Sequence, residues 1–376
     1  MRLQPDEGKQ TVSIEEQRKR LDEIDSELAR LLNERAKHVL EIARIKAEQN
    51  SQVYVPAREK AILEKVLMKN QGPLPDETMA TIFREIVSAM RSLEAPLAVA
   101  YFGPEATFTH LAARQAFGTF AQYTPVAAIN DVFTEVERGR ATYGVVPVEN
   151  STEGVVSRTL DTFMDSDLKI CAEVLMEISH HLLANCPLDE IRKVYSFSQP
   201  FAQCRAWLES NLPDAELVEV TSTARAAQIA ATEPGAAAIA SELAAEVYGI
   251  RVLVPRIEDI AGNVTRFFII GSDISEPSGD DKTSIMFSVR DRVGALYDTL
   301  KPFAEYGINL TKIESRPSRK KPWEYIFFVD LLGHCTDEKV VSALGKLSET
   351  CLFVKTLGSY PCGTLPGRMA GREDIS

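Results

Sequence analysis

A chain of 376 residues exceeds what one ordinary core organises, so two or three domains are expected. Hydrophobic content of 45% reads as a soluble globular protein, and a formal net charge of −12 argues against nucleic acid or an anionic membrane as partner, although small anionic substrates need only local cations. The six cysteines (171, 186, 204, 335, 351 and 362) show no C-x-x-C spacing and the five histidines form no ligand set, so reduced thiols are expected, with no metal and no cofactor.

The chain opens on the polar MRLQPDEGKQ and carries no apolar run of signal or membrane-span length, which points to the cytoplasm. From Ser13 to Val55 there is neither Gly nor Pro, and Ile14, Leu21, Ile24, Leu28, Leu31, Val39, Ile42 and Ile45 recur at helical spacings. One helix of roughly 50–60 Å follows, longer than a three-helix unit of about 80 residues can cover, so it is expected to pack against a second chain. Pro56 opens a second helix to about Lys69, and Gly72, Pro73 and Pro75 break it. Asp76 is expected to cap a third helix with Met79, Ile82, Phe83, Ile86, Val87, Met90 and Leu93 as its stripe, stopped by Pro96.

Short apolar runs then alternate with helical patterns. The runs are 97–104, 143–150, 168–176, 191–197, 236–241 and 266–272; the helical patterns are 109–117, 128–138, 200–210, 223–232 and 242–248. This alternation predicts α/β with a mostly parallel sheet, long enough for two lobes with a cleft between them. After a polar hinge, SEPSGDDK (275–282), the order βαββαβ predicts an α+β ferredoxin-like unit. The tail from Cys362 is aperiodic and expected to be disordered.

Counting sevens from Leu21 gives Leu28, Arg35 and Ile42, so an Arg interrupts the apolar seam of the first helix. Such a charge needs a partner or a route to water, so a structural ion pair is one reading and an anion ligand the other. Lys46 lies about 16 Å further along nearly the same face and can share a ligand with Arg35. Arg18, about 25 Å from Arg35, can join the same small ligand only from a second subunit. Arg58 and Glu59 open the second helix. Together these groups suit a dianion site inside a helical dimer.

These three segments resemble, in order, the all-helical chorismate mutases, prephenate dehydratase and the ACT regulatory domain. The most specific pieces are VPVENSTEG (146–154), NVTRFF (263–268), GALY (294–297) and KIESRP (312–317). The resemblance implies a multidomain chain: an all-α, three-helix, intertwined-dimer mutase domain (13–95), a two-lobed α/β dehydratase domain (97–274), an ACT domain (283–360) and the tail (361–376). It implies Arg18 (from the partner), Arg35, Lys46 and Arg58 as cations for the carboxylates and ether oxygen of chorismate. Glu59 would accept the substrate hydroxyl and Glu94 would donate to the ether oxygen. Val55 and Met90 depart from the Asp and Ser of some members.

For prephenate the resemblance implies Thr265 as the catalytic hydrogen-bond donor to the leaving hydroxyl. Arg266 would be a charge partner nearby, and Glu149, Asn150, Ser151, Ser196 and Gln203 would be polar cleft residues. Phe197 stands where many members have His. Gly294, Ala295, Leu296, Glu314, Ser315 and Arg316 match a phenylalanine sensor formed between two ACT domains, so feedback inhibition is expected, with homodimer or higher assembly. Two alternatives stay open at this point. One is a lone prephenate or arogenate dehydratase whose helices only dimerise; the other is a non-catalytic amino-acid sensor.

Overall fold

The structure, a computed structural model, describes residues 13–49, 54–318 and 324–365. It divides into two compact units, one holding residues up to 54 with 90–96, the other 55–89 with the chain from 97 onward.

In the first unit, helix α1 (Ile14–Gln49) is continuous over 36 residues, and Ser13 caps it by accepting the Glu16 N–H at 3.1 Å. Ion pairs Glu27–Arg30–Glu34 and Glu41–Arg44 lace its wet face at helical spacing. No residue of α1 is buried, and Leu21, Ile24, Leu28, Leu31, Ile42 and Ile45 are 47–57% exposed. The expected apolar stripe is therefore present, and no described residue buries it. The expected run to Val55 passes through residues 50–53, which lie outside the described residues.

The second unit begins with α2 (Pro56–Met68), with Pro in its first turn as expected. Helix α3 (Asp76–Glu94) follows, its last turn belonging to the first unit. Asp76 is the first helical residue and not the expected cap; its carboxylate accepts from Asn70 Nδ2 at 2.6 Å and lies favourably at the positive helix end.

Strands β1 (Ala98–Phe102), β2 (Gln122–Val126) and β3 (Tyr143–Asn150) run parallel, alternating with α4 (Phe108–Phe117) and α5 (Ile129–Glu137). Strand β4 (Gly154–Val155) folds back on β3, and α6 (Ser157–Phe163) leads to β5 (Lys169–Glu177). The chain then leaves for a second lobe. This holds β6 (His181–Ala184), β7 (Lys193–Ser196), α7 (Ser198–Gln203), α8 (Arg205–Asn211), β8 (Glu216–Glu219), α9 (Thr223–Ala230), β9 (Ala236–Ala240), α10 (Glu242–Tyr248) and β10 (Val252–Val254). It returns as β11 (Val264–Gly271), which inserts antiparallel between β3 and β5.

The expectation of a mostly parallel sheet is corrected: both lobes are mixed, in the orders β2-β1-β3-β11-β5 and β10-β6-β9-β7-β8. The cause is the double crossing between lobes, because a returning strand enters the first sheet against its direction. The helix expected over 200–210 is two short ones meeting at Cys204.

The last segment is β12 (Asp281–Val289), α11 (Ala295–Glu305), β13 (Leu310–Pro317), β14 (Tyr325–Leu332), α12 (Glu338–Thr350) and β15 (Cys351–Pro361). This is the βαββαβ order, folded into an antiparallel sheet β13-β14-β12-β15. One face packs Ile285, Phe287, Val329 and Leu331 against the helix residues Phe303 and Leu347. The other face places Met286, Ile326, Phe328, Leu357 and Tyr360 in one core with Ile170, Phe268 and Ile270 of the first lobe. Strand β15 crosses β5 so closely that a Cβ on Gly358 would overlap the Ile170 carbonyl oxygen. The expected hinge is therefore an anchored crossing: Ser275 Oγ donates to the Cys171 carbonyl, and Asp281 and Lys282 already belong to β12. The start of the expected tail is held in place. The Cys362 N–H donates to the Asp280 carbonyl and the Gly363 N–H to Glu173, while residues 366–376 lie outside the described residues.

Candidate active site

The centre of the first lobe is the β3–β11 pair, in which Thr265 faces Asn150 and Arg266 faces Glu149. Side chains alternate along a strand, so each pair occupies its own side of the sheet. Asn150 ends β3 in a tight turn, its Oδ1 accepting from the Thr152 N–H at 2.9 Å, the Glu153 N–H at 3.1 Å and the Thr152 hydroxyl at 2.6 Å. These contacts leave its Nδ2 to donate to Thr265 Oγ at 2.7 Å. Thr265 is buried, and among the described residues its hydroxyl hydrogen meets no protein acceptor. The hydroxyl is thereby a donor held ready for an incoming oxygen.

Ser151 is exposed at the turn after β3. It staples the turn to β11, its Oγ accepting the Val264 N–H at 2.9 Å and its own N–H donating to the Val264 carbonyl. Ser196 departs from expectation, because its fully buried Oγ donates to the Ile239 carbonyl inside the second sheet. Gln203, on the second lobe, reaches Thr152 Oγ at 3.4 Å and His180 Nε2 at 2.7 Å. Phe197 is 40% exposed and supplies only backbone at the start of α7. Thr152 and His180 were not legible as site residues: Asn-x-Thr is a common turn signal, and the His180–His181 pair falls in no motif that marks a site.

Arg266 and Glu149 correct the sequence reading, because both point away from Thr265. Arg266 Nε lies 2.6 Å from Glu173, Nη1 2.5 Å from Asp330 and Nη2 3.0 Å from the Tyr360 hydroxyl, with its guanidinium 4.7 Å from the Phe268 ring centroid. Lys282 completes a balanced cluster with Glu173 at 2.8 Å. Burial works to raise the Glu173 and Asp330 carboxyls, but Arg266 beside each wins and holds both below their ordinary range. Glu149 pairs with Lys312 of β13 at 2.6 Å.

In the first unit Lys46 Nζ sits 3.0 Å from Glu94 Oε2, with side chains 24% and 12% exposed. Glu94 is thus drawn out of water and not frayed at Pro96. Arg91, three residues before Glu94, lies over the Tyr54 ring, 5.1 Å from its centroid. Arg35 is half-buried on α1 and Arg18 exposed, while Met90 in the last turn of α3 is half-buried. On α2 in the second unit, Arg58 is exposed and Glu59 and Val55 half-buried.

On the C-terminal sheet, Gly294 takes φ +78, which only glycine adopts readily, and so opens α11. Ala295 is buried and Leu296 packs on the local core, leaving Gly294, Val293 and Tyr297 outward. Arg316 is corrected as a free ligand group: it bonds Ser157 Oγ at 2.8 Å and Asp161 at 3.2 Å on α6. Glu314 shares that inward face by alternation, and Ser315 is exposed on the other. A separate cavity of about 710 Å³ between α3, α4 and α10 sets Glu77, Glu85, Glu242 and Glu246 against Arg84 and Arg114, a balance unsuited to a dianion.

The chain matches three family models: chorismate mutase type II over residues 17–95, prephenate dehydratase over 99–275 and the ACT domain over 283–349. It is 52% identical over 353 residues to the bifunctional chorismate mutase/prephenate dehydratase of Aquifex aeolicus, covering 93% of this chain and 98% of that one. A prephenate dehydratase from Arthrobacter aurescens, solved in complex with L-Phe, is 35% identical with a TM-score of 0.66, covering 70% of this chain and 90% of that one. GqqA, described as a novel type of quorum quenching acylase, is 28% identical with a TM-score of 0.65 over 70% of this chain and 97% of its own. The chain therefore belongs to the bifunctional chorismate mutase/prephenate dehydratase family, with an ACT domain at its C-terminal side.

Proposed function

We propose that the helical domain rearranges chorismate to prephenate, that the two-lobed domain converts prephenate to phenylpyruvate, and that L-phenylalanine acting on the ACT domain restrains the second step. The observation that carries the dehydratase assignment is the Asn150–Thr265 pair, in which the threonine oxygen accepts from Asn150 and its hydrogen is left for the substrate. In the reaction the carboxylate leaves as CO₂, its bonding electrons complete the aromatic ring, and the ring hydroxyl departs as water after gaining a proton from solvent. A hydrogen bond from Thr265 to that oxygen stabilises the charge developing on it. A related fold serves a protein described as an acylase, so the assignment rests on this pair and the family, not on architecture.

The mutase step is pericyclic and needs neither nucleophile nor base. It needs the compact conformer held and charge on the breaking C–O oxygen stabilised. Lys46 and Glu94 support this, because they lie 3.0 Å apart as a largely buried pair of opposite charge. Arg35 and the partner subunit's Arg18 would take the carboxylates, with Arg58 and Glu59 as further contacts. The bare stripe on α1 supports a homodimer built along that helix. For feedback, β13 carries both Ser315 on its outer face and Lys312, which grips Glu149 one residue before Asn150.

Purified protein given chorismate should consume it and release phenylpyruvate, and L-phenylalanine should slow release more than consumption. Chorismate left untouched would refute the mutase assignment, and release indifferent to millimolar phenylalanine would refute the feedback.

A further inference from the structure

The polarity of one hydrogen-bond chain across the two lobes is decided by two backbone groups. The Thr152 and Glu153 N–H groups, at 2.9 and 3.1 Å, require that the Asn150 atom they meet is its oxygen. Thr152 Oγ, 2.6 Å from that same oxygen, must then spend its one hydrogen there; Asn263 Oδ1, its other neighbour, is at 3.5 Å. With its hydrogen spent, Thr152 Oγ can only accept from Gln203, so the Gln203 NH₂ faces the first lobe and its Oε1 faces His180. His180 Nε2, 2.7 Å from that oxygen, must carry the ring hydrogen. Nδ1 is then a bare lone pair, in keeping with its burial without any hydrogen-bond partner.

The geometry points to His180 as a positioning residue for the dehydratase step: through its Nε2–H it locks the Gln203 amide so that Gln203 and Thr265 present hydrogens, not lone pairs, between the lobes. Followed to its ends, the chain leaves two hydrogens without acceptors among the described residues, the Thr265 hydroxyl and the second amide hydrogen of Gln203. Both are donors, as an anionic substrate and a departing hydroxyl require. Without His180 the amide of Gln203 can rotate and offer its oxygen, which repels an anion and competes for the Thr152 hydrogen that steadies Asn150. His180 is itself well placed to hold one state. Its ring is buried and packs edge-on to Phe108 at 5.7 Å, and the backbone N–H of His180 donates to Glu258 at 2.9 Å. Burial pushes its pKa down, which keeps the ring neutral with a single hydrogen to place.

The inference rests on the reading of Thr265 as the hydroxyl donor, so Thr265→Ala is measured beside the other variants. Glutamine places its amide nitrogen near where Nε2 lies, whereas asparagine falls short. With prephenate as substrate and the full-length chain, His180→Asn should lower dehydratase kcat/KM about tenfold or more, and His180→Gln should recover it to within about threefold of wild type. Mutase activity should stay as in wild type in both. Gln203→Glu, which still accepts from His180 but has no hydrogen to give, should lose as much as His180→Asn. Equal activity of His180→Asn and His180→Gln, or of Gln203→Glu and wild type, would overturn the positioning role. If His180→Asn fails to fold, nitrogen-15 NMR of wild type decides: a hydrogen on Nε2 is required, and one on Nδ1 overturns the inference. Thr265→Ala at wild-type dehydratase activity would instead mean that the reading of Thr265 itself has failed.

Discussion

Thr265 and Arg266 are one step apart on β11, and the pleat sends the hydroxyl to Asn150 and the guanidinium to Glu173, Asp330 and Tyr360. Arg266 is then a structural cation whose removal strands two buried carboxylates. Arg266→Met should cost about 3–5 kcal/mol of unfolding free energy, read by chemical denaturation. Its cost should also depend on pH. Burial raises Glu173 and Asp330 but Arg266 overrides it, so their folded values lie below the ordinary 4.5 and 3.8. The stability they contribute is full above those ordinary values and lost as pH falls through the folded ones. The gap between wild type and Arg266→Met should therefore narrow below about pH 4.5, and a gap constant down to acid unfolding would contradict the pairing. The motif NVTRFF showed that polar groups gather here, but not which face each takes, because parity along a strand has meaning only once its neighbours are known. Glu149 and Asn150 were inseparable in the sequence for the same reason.

At the scale of elements, β13 is the edge of the C-terminal sheet, with Lys312, Glu314 and Arg316 inward and Ile313 and Ser315 outward. Its inward cations hold the first lobe at Glu149 and Asp161. A ligand that shifts β13 therefore pulls on the residue next to Asn150. Lys312→Met should weaken inhibition by phenylalanine while leaving phenylalanine binding in place, measured by calorimetry beside dehydratase assays. Unchanged inhibition would place the coupling elsewhere. The core strands β1, β3, β5, β7, β9 and β11 were legible because each is an apolar run. The strands β2 and β8 were not, since their residues are largely exposed and read as loop, and β10 is only three residues long. Nor was the insertion of β11 between β3 and β5 legible, because pairing of strands roughly 90–120 residues apart leaves no local trace. The hinge misled for a related reason. Its Ser, Pro and Gly signalled a break in secondary structure, while the core shared across it comes from distant residues such as Phe328 and Tyr360.

For the whole molecule, the 36 residues of α1 carry an apolar stripe that no described residue buries, and they hold Arg18 and Arg35 about 25 Å apart along one rigid axis. In the proposed homodimer, the partner subunit's Arg18 and not the chain's own would share a small ligand with Arg35. Mixing Arg18→Ala chains with Arg35→Ala chains should restore mutase activity, since each mixed dimer holds one intact site and one doubly damaged site. No recovery after verified subunit exchange would place the mutase site within one chain. If one chain carries two separable reactions, chorismate supplied to Thr265→Ala protein will separate them. Chorismate should disappear at the wild-type rate while prephenate accumulates and phenylpyruvate formation falls about 100-fold or more. Loss of chorismate consumption together with phenylpyruvate formation, or phenylpyruvate at the wild-type rate, would contradict that separation.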